Sequence, residues 1–293
     1  MNPYLITGPA LISFSGGRTS AYMVKQILDA HGGTLPDDVH VAFANTGKER
    51  EETLRFVHEC ATRWGVKVHW LEWRRRERGS PWEDGFTEVG YNSASRNGEP
   101  FAALIANRQM LPNPVTRFCT QQLKIRTMEL FMRSRGYERW NNAVGLRWDE
   151  MHRVFRQIER NDKKIDRFTA VMPLATQATK VRESDVLSWW ARQPFNLQIR
   201  GYEGNCDLCF LKSERTLMRL VRDNPGLEAW WVDQERLHEG KTRDPRMSKF
   251  NKAFTYDGIA SAVAAGPMLD LDYMTPEDEF DAECGLWCAG EAA

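Results

Sequence analysis

The sequence predicts an α/β protein: a parallel sheet with helices on both faces, then a smaller C-terminal region of helices and loops and a tail. Three observations carry that reading. Short apolar runs alternate with stretches whose apolar residues recur at helical spacing, a glycine pair separates the first run from the first helix, and no internal repeat interrupts the order. At 293 residues, 42% of them hydrophobic, the chain buries enough apolar surface to fold around its own core. Its six cysteines need not be a disulfide framework.

The elements follow in chain order. Residues 11–14 (LISF) read as a buried strand, SGGRTS as a tight loop, and Met23, Val24, Ile27 and Leu28 as one face of a helix that stops at Gly32 and Gly33. Val39, Val41 and Phe43 alternate as a second strand. Leu54, Val57, Ala61 and Trp64 form the next helical stripe, ended by Gly65, and Val66 to Leu71 a third strand. Residues 74–118, rich in Arg, Gly, Pro and Asn, are expected to be a long irregular excursion with a functional use. A helix over 121–135 stops at Gly136, and NNAVG (141–145) resumes the sheet. From about residue 165 the pattern changes: ESDVLSWWAR is helical, GYEGNCDLCF has turn chemistry, 213–240 is helical, and loops follow from 241. The expected division is a core over 1–165, a second part with a CxxC over 166–252, and an acidic tail over 253–293.

Charge is uneven. Lys and Arg balance Asp and Glu at 40 each, yet all 40 bases precede residue 253 and nine acids follow it, so residues 1–252 carry +9. A basic body suits an anionic ligand such as a nucleotide or nucleic acid. The opening MNPYLITGPALIS has no basic leader, and no stretch nears the roughly 18 apolar residues of a membrane helix. The expectation is a cytoplasmic chain, without a membrane partner, whose cysteines are reduced.

SGGRTS (Ser15, Gly16, Gly17, Arg18, Thr19, Ser20) has the composition of a phosphate cradle. Two glycines let the backbone aim its N–H groups at an anion, the helix start adds positive potential, and the hydroxyls can donate. It matches neither GxxxxGK[ST] nor GxGxxG, which removes the main support for a P-loop NTPase or a dinucleotide dehydrogenase.

The loop resembles the SGGxxS loop of the N-type ATP pyrophosphatases, with Arg18 and Thr19 where the usual loop has Lys and Asp. FANTGKEREETLRFV (43–57) resembles the DTGxxxxETxxFV stretch of the phosphoadenosine phosphosulfate reductase family, with Asn45 for the usual Asp. GLRWDEMHR (145–153) resembles its GxRxxEsxxR segment, and PLATQATKVRESDVLSWW its Pro-Leu segment. Together the matches cover residues 11–215. The resemblance implies an adenine nucleotide alpha hydrolase-like fold. It also implies ATP, with Mg2+, or a sulfonucleotide held by Ser15 to Ser20, Asn45, Thr46, Gly47, Arg147 and Arg153. Without the family, Arg147, Glu150 and Arg153 at i, i+3 and i+6 also read as a solvated ion-pair ladder.

Cys206 and Cys209 in NCDLC have the spacing for one metal or cluster, and Cys119 stands among Arg117, Lys124 and Arg126, where a thiolate forms readily. In the cluster-bearing adenylylsulfate reductases, similarly placed cysteines hold a 4Fe-4S cluster. Thr120 stands where the second cysteine of the family's pair would be, so the fourth ligand would come from the tail, with Cys288 the choice here. AECGLWC resembles the reductases' final ECGLH motif and makes Cys284 the nucleophile. Zinc in a closed four-thiolate site is the alternative occupant. Cys60, inside a helical stripe, reads as core.

Two mechanisms compete under this resemblance. In one, ATP loses pyrophosphate and the adenylated substrate, a nucleic acid or a small molecule, receives sulfur from a donor protein. In the other, Cys284 attacks a sulfonucleotide and a thioredoxin-like partner reduces the thiosulfonate. A nucleotide or redox sensor is the non-enzymatic reading. WRRRERG (73–79), near Trp70 and Trp82, could grip a phosphate backbone or be solvated charge.

Overall fold

The computed structural model describes residues 2–75, 84–241 and 245–266, with the backbone alone at Asp84, Pro245 and Arg246. Cys284 and Cys288, the tail from 267, and most of the basic run with Trp82 lie outside the described residues.

A six-stranded sheet forms the centre. Its strands are β1 (Ala10–Ser13), β2 (Val39–Ala44), β3 (Val68–Arg75), β4 (Asp84–Val89), β5 (Trp140–Ala143) and β6 (Phe168–Val171), in the order β4-β3-β2-β1-β5-β6. All neighbours are parallel except β3 and β4. Alternation along β1 shows why the strands are nearly all apolar. Ala10, Ile12 and Phe14 face one hydrophobic layer and Leu11 the opposite one, so both faces are covered and a polar face has no place. On the first face pack α1 (Arg18–Ala30) and α2 (Glu51–Trp64), through Met23, Val24, Ile27, Leu54, Phe56 and Val57.

The expected irregular excursion is partly wrong. It holds β4, which turns back against β3, and α3 (Glu99–Arg108), whose Phe101, Leu104 and Ile105 are buried. Edge strands need little apolar sequence, and DGFTEV half faces water, so its period was weak. The helix expected over 121–135 is a π-helical segment, Thr120–Arg126, running into α4 (Thr127–Ser134). Here Phe131 and Met132 cover the second sheet face. After β5, a short turn over Trp148–Glu150 leads into α5 (Met151–Asp162), and β6 closes the sheet. The β6 edge is blunted by Asn161, whose amide donates to the Ala170 carbonyl at 2.8 Å and accepts from its N–H at 2.9 Å.

The C-terminal part begins with α6 (Glu183–Trp190), on the α1 side of the sheet. The stretch expected to be helical over 213–240 divides into α7 (Glu214–Asp223) and α8 (Ala229–His238), because Pro225 and Gly226 interrupt it. α9 (Tyr256–Ala264) lies within the segment expected to be loops. α3, α7, α8 and α9 enclose a separate aromatic cluster with Phe101, Trp231, Phe250 and Tyr256 at its centre. Among the described residues no helix is long and apolar enough to cross a membrane.

Candidate functional site

Strand order decides where a ligand can sit. β1 is flanked by β2 on one side and β5 on the other, so the chain leaves β1 and β5 toward opposite faces and opens a crevice beyond their carboxyl ends. SGGRTS leaves β1 there, and GLRWDE leaves β5 beside it. Motifs 130 residues apart thus share one rim. A buried hydrogen bond from the Ser13 hydroxyl to Asn142 Oδ1, 2.9 Å, fastens the two strands just before it.

The SGGRTS loop is tied together by its own side chains. Ser20 Oγ receives the Ser15 N–H at 3.2 Å, lies 2.9 Å from Ser15 Oγ and reaches the Gly17 carbonyl at 3.0 Å. This ties the loop into a ring. Gly16 has φ +84°, and a Cβ there would stand 2.7 Å from Thr53 Cγ2, so only glycine fits. Gly17 is the helix N-cap, with φ −91° and no side-chain cap bond, and α1 carries no acid in its first turn. The helix start therefore offers backbone N–H groups and positive potential without a competing carboxylate.

Arg147 extends that site. Its Nη1 donates to Thr19 Oγ1 at 3.1 Å, while its Nε meets Asp149 at 3.0 Å. Glu150 accepts the Arg147 backbone N–H at 3.0 Å and pairs with Arg153. Burial alone would raise the Asp149 carboxyl, but the Glu183 N–H and the Arg147 guanidinium outweigh it and hold it below the usual carboxylate range. Gly145 makes the approach close enough, since a Cβ there would meet the Ser20 backbone at 3.3 Å. Arg153 lies one ion pair back from the loop, on Glu150. Arg147, Glu150 and Arg153 thus form an ion-pair ladder whose front end lies on the SGGRTS loop, but it is largely buried rather than solvated.

Other site candidates are occupied by structure. Asn45 is fully buried and gives both amide hydrogens to Glu72 Oε1 (2.6 Å) and the Ser95 carbonyl (2.9 Å), while its Oδ1 takes the Gly47 N–H at 3.1 Å. Asn45 shapes the loop after β2. Arg18 turns toward segment 196–199 and bonds Asn196 and two carbonyls. Thr46 bonds Glu49 through its N–H and hydroxyl at 2.9 Å each.

The cysteines meet this rim from the C-terminal side. Thr46 Oγ1 lies 3.5 Å from Cys206 Sγ, and Glu49 and Cys206 form an isolated antiparallel bridge. The Asp207 N–H donates to the Lys48 carbonyl at 2.7 Å, and Lys48 Nζ meets Asp207 Oδ2 at 2.8 Å with both side chains buried. Asp207 Oδ1 also accepts from Trp231 Nε1 at 2.9 Å. The loop after β2 is thereby fastened to the CxxC turn. Sequence reasoning missed Lys48, Glu49, Glu72 and Asp207, because isolated charged residues carry no periodic signal.

Cys206 and Cys209 are 8% and 5% exposed, and Cys119 packs half-buried against the same aromatic cluster. Thiols are the donors that iron-sulfur clusters and zinc take, so the chemistry fits either. Among the described residues, however, no group of three His, Cys, Asp or Glu is arranged to hold a metal ion. Cys60 is fully buried on α2, and burial pushes its thiol pKa up, as suits a core residue.

No family model matches the chain. It is 28% identical over 258 residues to the uncharacterized nin region protein ORF290 of Escherichia phage lambda, covering 85% of this chain and 83% of that protein. Among solved structures it is similar to the U34-tRNA thiolase NcsA from Methanococcus maripaludis with its 4Fe-4S cluster, at 14% identity, covering 89% of this chain and 81% of that one. The TM-score of 0.35 is too low for residue roles to be carried across.

Proposed function

We propose that this protein binds the phosphates of ATP on the SGGRTS loop and catalyses sulfur transfer to a substrate activated by adenylylation. The observation that carries the reading is the uncapped, acid-free start of α1, with Arg147 held against Thr19 at its rim. The N–H groups of Gly17, Arg18 and Thr19, with the Ser15 and Thr19 hydroxyls, hold the β and γ phosphates. Arg147 faces charge that develops as pyrophosphate leaves. In-line attack by a substrate oxygen on the α phosphorus breaks the α–β bond and leaves an adenylate, which a sulfur nucleophile then displaces with loss of AMP.

Cys119, Cys206 and Cys209 pack in one cluster, and Cys206 reaches Thr46 in the loop after β2. In this reading they would hold an iron-sulfur cluster, which would supply a binding point for the incoming sulfur. The donor chemistry and the Cys206 contact with Thr46 support it. The test is isothermal titration with ATP and pyrophosphate release from labelled ATP, wild type against Gly17→Asp. Binding lost in the variant is the expected result. A wild type that binds neither ATP nor pyrophosphate would end this reading.

A further inference from the structure

The loop arginine does not point where a phosphate ligand would. Arg18 Nε donates to Asn196 Oδ1 at 2.9 Å, and its Nη2 donates to the Leu197 carbonyl and, at 3.0 Å, to the Ile199 carbonyl. The Arg18 carbonyl in turn accepts from Trp190 Nε1 at 2.9 Å. Leu197, Ile199 and Trp190 are all buried in the layer that also holds α1. The first turn of α1 thus grips both ends of segment 190–199.

That segment leads straight to the cysteines. Past a short turn over Gly201–Glu203, Lys212 Nζ donates to the Tyr202 and Gly204 carbonyls at 2.8 Å each and closes the path into Cys206. From the other side the CxxC turn is held by Lys48 and Thr46. We infer that Arg18 is a positioning residue: its guanidinium seats segment 196–199, and through it the Cys206–Cys209 turn, against the phosphate loop. A planar fork satisfying three acceptors has that geometry, which an ammonium cannot reproduce. Because Arg18 belongs to the loop itself, occupation of the loop by an anion is transmitted to the cysteines through this strap. The transmission rests on the nucleotide reading above, whereas the seating does not.

The experiment is hydrogen exchange with mass spectrometry on the full chain, purified anaerobically, first without nucleotide. Arg18→Lys and Asn196→Ala should each speed exchange over 197–209 at least tenfold while β1 and α2 stay unchanged, since local opening is governed by local contacts. Asn196→Asp keeps an acceptor for Nε and should restore protection. With ATP, wild type should change its exchange at 206–209, and Asn196→Ala, which lies outside the loop, should still bind ATP within about threefold but show no such change. Unchanged exchange in both variants, with ATP affinity in Arg18→Lys lowered more than tenfold, would make Arg18 a phosphate ligand and overturn the inference. Faster exchange spread evenly over the whole chain would overturn it too, as would an equal ATP response in wild type and Asn196→Ala. A wild type that fails to bind ATP would remove the nucleotide reading and the transmission with it, leaving the nucleotide-free comparison to judge the seating.

Discussion

Replacing Gly16 and Gly17 separately by alanine should give two very different proteins. At Gly16 the backbone has φ +84°, and a new Cβ would lie 2.7 Å from Thr53 Cγ2, 3.2 Å from Phe43 and 3.3 Å from Val57. A left-handed conformation costs a non-glycine residue about 1–2 kcal/mol. Forcing a methyl into packed surroundings adds about 1–3 kcal/mol. At Gly17 the backbone is extended, with φ −91° and ψ 164°, and the nearest atom to a Cβ is Ser15 Oγ at 3.8 Å. There, a loss of about 0.5–1 kcal/mol at the helix cap is offset by lower entropy in the unfolded chain, about 0.4–1 kcal/mol. Gly16→Ala should therefore lose about 3 kcal/mol, and Gly17→Ala should stay within about 0.5 kcal/mol of wild type. At about 2–4 °C per kcal/mol for domains approaching this size, the first should melt about 10 °C lower. Thermal denaturation followed by circular dichroism measures both. Gly17→Asp completes the series. One carboxylate about 4 Å from a phosphate charge costs about 4 kcal/mol at an effective dielectric of 20, roughly a thousandfold in affinity. Equal melting of the two alanine variants would refute the loop conformation, and an undiminished ATP-induced shift in Gly17→Asp would refute the anion site.

Arg147→Ala should weaken ATP about tenfold to a hundredfold by titration calorimetry, the range of a charged hydrogen bond, with little change in melting. Lys48→Met leaves Asp207 buried without its ion pair, so urea denaturation should show a loss of about 3–5 kcal/mol. Anaerobically purified protein should be brown with about four irons per chain, and Cys206→Ala or Cys209→Ala should be colourless. Stoichiometric zinc in colourless wild type would instead indicate a structural thiolate site. Burial holds His40 and His69 below the usual histidine range, so the folded chain refuses protons that the unfolded chain accepts near pH 6.5. Their contribution is fully present above that pH and declines as pH falls toward their folded values. Denaturant titrations should therefore show His40→Phe losing less stability between pH 7 and pH 5 than wild type.

Much of this was legible in the sequence because it depends on local rules. Apolar runs set β1, β2 and β3, helical stripes set α1 and α2, and the alternation of the two required a parallel sheet. The glycine loop was readable for the same reason, since its chemistry lies within six consecutive residues. The sequence also placed GLRWDE after a strand, though not beside the loop. That adjacency comes from β5 pairing with β1, a contact between residues 131 apart that no local pattern encodes. Strand β4, α3 and α9 escaped because short or half-exposed elements carry little periodicity, whereas the break between α7 and α8 is marked in the sequence by Pro225 and Gly226. Side-chain direction was decided only in three dimensions. Asn45 and Arg18 have the composition of ligand-binding residues, yet the burial of Glu72 beside one and the carbonyls of Leu197 and Ile199 beside the other draw both side chains into hydrogen bonds with the protein itself. A buried polar group must find a partner wherever the packed chain supplies one, and which partner that is depends on tertiary neighbours rather than on sequence neighbours.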